Sequence, residues 1–324
     1  MAAIGRRGLL GLLAAAGGSA CAGSALGRSA TTSVGASDLT GVWTNAWYTK
    51  LERPKAFTTL VVTPAQAAAY ETPRHAHQGE LISEHDSIGQ DESEFPDNGP
   101  GLARIRGEIR SSWITDPPDG RIPWTEAAKK RLYIHAQAPD RTDNVEDREI
   151  DERCLVYASA TAPLLNAHDT NLVQIVQTPG AVVLVSERLH QTRIIPIAEP
   201  GGPDPTAGAL PGWIGVSVGR WEGHTLVAET TRLRPGDTKL DDDIYLSDRA
   251  KVVERFTRTG PKEITYAFDV TDPTLFTQTW RGEMVFRPAE GQMFEFACHE
   301  GNYSLPGILA AARAAERGAK GAGK

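Results

Sequence analysis

The sequence predicts a mainly β protein, an antiparallel β-barrel or half-barrel with a few short peripheral helices. Three observations predict it. Turn-forming residues are abundant, with 32 Gly and 21 Pro in 324 residues, which suits short strands and tight turns better than a helical bundle. The second half carries runs that alternate apolar with polar. In one of them Ile264, Tyr266, Phe268 and Val270 interleave with Glu263, Thr265, Ala267 and Asp269, the pattern of a half-buried strand. Finally, short turn segments at Glu222-Gly223 and Arg258–Lys262 join neighbouring runs into hairpins. Hairpins with one apolar face must cover it, and a curved sheet closing on itself does so while removing its edges.

The first 22 residues read as an export signal peptide. Arg6-Arg7 precede the apolar run Leu9–Ala16, and Ala20-Cys21-Ala22 offers an A-x-A cleavage pattern. The run is too short to span a bilayer, which takes ~20 residues, so no transmembrane helix is expected. The paired arginines resemble a twin-arginine signal, which implies a periplasmic or secreted protein; anchoring as a lipoprotein through Cys21 is the alternative. Residues 23–37 read as a flexible Ser/Ala/Gly/Thr leader, 38–318 as a single β-rich domain, and 319–324 as a disordered tail. Asp38–Trp43 opens the domain, and its Gly41-Val42-Trp43 followed by an extended stretch resembles the first strand of a lipocalin-type barrel. Thr63 caps a short helix running to Glu71, with Pro64 at its first position. Residues 72–100 are polar and read as a long loop, Trp124–Tyr133 as a second short helix, and 136–151 as a charged loop.

Ala181–Val185 is a continuous apolar run, the mark of a strand buried on both faces. It returns through Arg193–Ile197, whose Pro196 lacks a ladder donor and places that strand at an edge or a bulge. Glu199–Gly212 is a Pro/Gly linker. Trp213–Trp221 and His224–Thr230 form one hairpin, Lys251–Thr257 and Glu263–Thr271 another, and Trp280–Phe286 follows. Phe294–Cys298 is read as a last strand with Phe294, Phe296 and Cys298 on one face, and Leu305–Arg317 as a closing helix.

A net charge of -7 and the lack of a basic stripe argue against nucleic acid as a partner. No Gly-x-Ser-x-Gly elbow, phosphate loop or dinucleotide fingerprint occurs, so no cofactor is expected. His75-x-His77 would put two imidazoles on one face of an extended chain, but the spacing matches no strong metal signature and no metal is assigned. In an exported chain Cys154 and Cys298 share an oxidising compartment, where a disulfide between them competes with two separate buried thiols.

Two stretches carry the candidate chemistry. In Ser186–Arg193 a tight turn at Leu189–Gln191 would set Glu187 opposite Arg193 and leave His190 at the tip. That is either an oriented carboxylate or a plain cross-strand ion pair. In Cys298–Asn302, His299 and Glu300 emerge where the last strand ends, where His299 serves as an acid/base or merely caps a core. Trp213, Trp221 and Trp280 either line a ligand cavity, with Asn302 beside it, or fill a core.

Ile114–Pro123, Gln174–Ile197, Gly219–Thr231 (GRWEGHTLVAETT), Val253–Arg258 (VERFTR) and FACHEGNY at Phe296–Tyr303 together resemble a large group of exported bacterial proteins of unassigned function. The likeness covers most of the chain from about residue 110; residues 45–105 match poorly. That group usually carries an acid where this chain has His224. The resemblance implies a shared fold and a shared site around Glu187, His190, Arg193, His299 and Glu300. Together these features lead to the expectation of an exported enzyme acting by Glu/His acid–base chemistry on a small, largely apolar organic molecule, as a lyase, isomerase or hydrolase. In it His299 is the acid/base, Glu187 its partner, Arg193 the anion stabiliser and His190 the reserve base. The alternative is a lipocalin-type protein that binds an apolar ligand without turnover.

Overall fold

Nine strands follow one another around a curved sheet, almost in chain order. The computed structural model describes residues 38–84, 99–130, 142, 144–148, 150–157, 161–167, 171–234, 238–241 and 244–322. The sheet runs β8 (Thr192–Pro196), β7 (Ala181–Ser186), β6 (Leu172–Gln177), β1 (Gly41–Thr44), β15 (Trp280–Pro288), β14 (Glu263–Thr271), β13 (Lys251–Gly260), β10 (Thr225–Thr231) and β9 (Val216–Glu222). Every pair along this path is antiparallel. A tenth strand, β5 (Ile114–Asp116), pairs with β15 off the path. Small sheets form outside it, β2 (Val61–Val62) with β4 (Glu108–Arg110) and β3 (Arg104–Ile105), and β11 (Thr238–Asp241) with β12 (Ile244–Leu246). The protein is therefore mainly β, with a nearly closed barrel.

An odd number of alternating strands in a ring leaves one neighbouring pair pointing the same way. That pair is β8 and β9. It meets at one parallel bridge, Ile197 to Gly219, where the Ala198 amide donates to the Gly219 carbonyl at 2.8 Å. Gly219 makes this approach possible. A Cβ there would lie 2.8 Å from Ile195 Cγ2 and 3.0 Å from Ile197 Cδ1, inside normal contact. The Pro196 strand thus ends the hydrogen-bonded order, and the Glu199–Gly212 linker carries the chain from β8 to β9.

Strand alternation packs the interior. Val173 and Ile175 of β6, Val182 and Leu184 of β7, Leu226 and Ala228 of β10, Val252 and Phe256 of β13, and Ile264, Tyr266, Phe268 and Val270 of β14 join one buried cluster with Trp43, Trp113 and Trp280. Phe268 crosses β15 at Gly282, where any Cβ would fall 2.2 Å from its ring. Arg258 lies with its guanidinium 5.0 Å from the centre of the Trp43 ring and donates to the Asp38, Gly260 and Pro261 carbonyls. Trp43 itself donates to Leu39, so the Gly-x-Trp opening is clamped against the β13–β14 turn.

Four expectations are corrected. Val183 and Val185 are only half-buried between buried Val182, Leu184 and Ser186, so β7 buries one face, as an antiparallel barrel strand does. Residues 72–84 are not loop. Helix α1 spans Pro64–Glu84 with Pro73 inside it, its start held by the reciprocal Thr63–Gln66 capping bonds. The paired-imidazole expectation needed extended chain and lapses with the helix; His75 shares a 3.0 Å hydrogen bond with the Tyr48 hydroxyl. Phe294–Cys298 is irregular chain and not a strand. Last, α3 covers Ser304–Ala322 and so includes residues expected in the tail. The second expected helix is helical at 126–130, designated α2; residues 131–133 of it, half of the 136–151 loop and the signal and leader lie outside the described residues. Among the described residues no helix is long and apolar enough to cross a membrane.

Candidate functional site

The most unusual chemistry lies inside the barrel. On β13, Val252, Glu254 and Phe256 share the inward parity, so a carboxylate stands in an apolar row. On β8 the same parity carries Arg193 and Ile195 inward, and on β14 it carries Tyr266. Glu254 and Tyr266 are 0% exposed and Arg193 3%. Arg193 Nη2 donates to Glu254 Oε1 at 2.8 Å, and the Tyr266 hydroxyl donates to the same oxygen at 2.8 Å. The Leu164 amide donates to the Tyr266 oxygen at 2.8 Å, tying in residues 161–167, of which Thr161, Ala162, Leu164 and Leu165 are buried.

Rings surround this trio. Tyr266 packs on Phe256, Phe268 and Phe286, and Phe268 meets Trp280 edge-on. Burial pushes the Tyr266 hydroxyl well above the ordinary tyrosine value, the Glu254 charge pushes it further, and Arg193 opposes both. It is a neutral donor throughout the physiological range.

The trio is not self-sufficient. Among the described residues, Arg193 Nε and Nη1 and Glu254 Oε2 find no hydrogen-bond partner, and neither do the buried Ser186 hydroxyl and Trp280 Nε1. Buried polar groups are nearly always paired, and an unpaired one is costly. The trio thus holds unpaired donors and an unpaired acceptor within an aromatic shell.

The residues expected to form the site divide. Arg193 does not face Glu187. The β7–β8 turn occupies residues 187–191, closed by the Ser186 amide on the Gln191 carbonyl, so Arg193 registers opposite Leu184 and points into the core. Glu187 is buried beside that turn, where its carboxylate accepts the Phe294 amide at 2.7 Å. His190 stands exposed at the tip with a positive φ of 49°.

The Cys298–Asn302 segment follows Phe294, which Glu187 holds. Cys154 and Cys298 are bonded, with their Cα atoms 5.9 Å apart. Asn302 donates to the Glu152 carbonyl at 3.3 Å and lies 3.6 Å from Cys154 Sγ. The Arg188 guanidinium stacks 3.7 Å over the Tyr157 ring and 5.1 Å from that of Phe296. His299 and Glu300 sit in an exposed turn, and Phe294, expected inside, is 67% exposed. The region braces irregular chain: the carboxylate meant to orient His299 is engaged by a backbone amide.

Of the tryptophans, Trp280 is fully buried beside the trio's ring shell and Trp221 packs partly buried against the core. Trp213 is half-buried, with the Arg234 guanidinium 4.0 Å from its ring. His224 occupies the exposed two-residue tip of the β9–β10 hairpin, after Gly223 with φ 60°, where a turn-forming acid would serve equally. Glu254, Tyr266 and Ser186 were missed as site residues. The signal for Glu254 was present: a carboxylate at the apolar parity between Val252 and Phe256.

Fold and interior define an up-and-down β-barrel protein with a buried Arg–Glu–Tyr centre. A comparison with protein-family models, curated proteins and solved structures finds no match to the chain.

Proposed function

We propose that this is an exported barrel protein that binds a small, largely apolar organic molecule in the barrel interior, against Arg193, Glu254 and Tyr266. One observation carries the reading: hydrogen-bond groups of a buried ion pair left unpartnered within an aromatic lining. Binding sites for small molecules are mainly apolar with a few placed polar groups, and barrels are among their usual hosts. The signal-like N-terminus and the Cys154–Cys298 bond support export.

The test is a thermal-shift and tryptophan-fluorescence screen of small aromatic and alicyclic compounds against the mature protein. Hits should lose binding in Arg193→Met, with the circular dichroism of the variant unchanged. Hits that bind Arg193→Met as well as the parent would place the site elsewhere.

Turnover of the bound molecule by proton transfer is a second reading, favoured by the free Oε2 of Glu254. A buried carboxylate with one unengaged oxygen suits a general base. Product formation by the parent protein that Glu254→Gln abolishes, while His299→Ala retains it, would support this reading. Loss of turnover in His299→Ala alone would return the chemistry to the outer cluster.

A further inference from the structure

The pairing inside the barrel sets the charge and the polar pattern of the guest. Arg193 and Glu254 are joined directly at 2.8 Å, so their charges cancel within the core. Tyr266 adds no charge and has no spare capacity, because it donates to Glu254 and accepts from Leu164. What remains for a guest is donors on one partner, Arg193 Nε and Nη1, and an acceptor on the other, Glu254 Oε2. An anion brought there would satisfy the donors but would meet the carboxylate of Glu254, whose ion-pair partner among the described residues is Arg193; a cation would meet Arg193. A hydrocarbon would leave all three groups unpaired. Each of these carries a desolvation or repulsion cost that a neutral guest with matched groups does not.

We infer that the guest is a neutral ring compound presenting a carbonyl oxygen and an adjacent N–H or O–H on one edge, as in a carboxamide, lactam or hydroxy-carbonyl compound. The carbonyl takes one of the two unpaired Arg193 N–H donors, and the N–H or O–H donates to Glu254 Oε2. This inference rests on the proposed barrel-interior site.

Three probes of nearly one shape test it, benzamide, benzoate and ethylbenzene, titrated into the mature protein at neutral pH by calorimetry or ligand-observed NMR. Benzamide should bind at least about tenfold tighter than either of the others, since only it matches donors and acceptor without a net charge. In Glu254→Gln, with folding checked by its melting transition, the Arg193 charge is no longer offset and the order should reverse to favour benzoate. Benzoate or ethylbenzene binding as tightly as benzamide to the parent protein would overturn the inference while leaving the barrel site standing. Binding of none of the three would remove both. An unchanged order in a folded Glu254→Gln protein would also overturn it, because the ion pair would then not set the preference.

Discussion

Tyr266 is held at both ends of its hydroxyl, by Glu254 as acceptor and by the Leu164 amide as donor. Tyr266→Phe removes both bonds and leaves a buried amide unpaired, so it should cost about 1–3 kcal/mol in urea unfolding. The same residue gives an alkaline signature. Its folded value is raised above the unfolded one, so the folded state keeps a proton that the unfolded chain gives up near pH 10. The stability it contributes is whole below that pH and is lost as pH rises beyond it. Urea midpoints at about pH 8 and about pH 11 should therefore fall more steeply in the parent protein than in Tyr266→Phe. Equal slopes would mean that this hydroxyl is not buried as described. The ion pair behaves asymmetrically: Glu254→Leu should cost about 3–5 kcal/mol by stranding Arg193, and adding Arg193→Met should recover part of that loss.

Among the elements, the seam between β8 and β9 is the point of least pairing, one bridge where other neighbours share a ladder. Gly219→Val places methyl groups where Ile195 and Ile197 already stand. It should destabilise by about 1–3 kcal/mol and raise amide exchange along β8 and β9 before other strands. Uniform exchange across the sheet would show that closure does not depend on Gly219. These strands and hairpins were legible in the sequence because alternation has a fixed period of two, and Glu263–Val270 kept it through the whole strand. What escaped was register. The length of the 187–191 turn decides whether Arg193 meets Glu187 or the core, and four polar residues around Leu189 do not announce how many of them turn. Parity pointed correctly at Arg193 beside Ile195 and at Glu254 beside Val252, but partners 61 residues apart are joined only by the curvature of the barrel. The FEFACHE stretch failed for another reason. Its alternation is real, but no strand among the described residues pairs with it, and the disulfide and the Glu187–Phe294 bond hold it as irregular chain.

For the molecule as a whole, the Cys154–Cys298 bond joins residues 144 apart in sequence and pins the chain after β15 to the segment before β6. A closed loop of that size is worth about 4–5 kcal/mol in the chain-entropy picture. Cys298→Ser should lower the melting temperature, and reductant should have no further effect on that variant. Binding at the barrel interior should survive this change, since Arg193, Glu254 and Tyr266 stand on strands β8, β13 and β14, whereas a site in the disulfide-braced region would be lost with it.

The most direct measurement is the Nε–H resonance of Arg193 in arginine-labelled protein, assigned by its loss in Arg193→Lys and followed while benzamide is added. A site built on the buried ion pair predicts a saturable shift of that resonance while exposed arginines such as Arg106 stay still. A stationary Arg193 signal under saturating benzamide that demonstrably binds would contradict it.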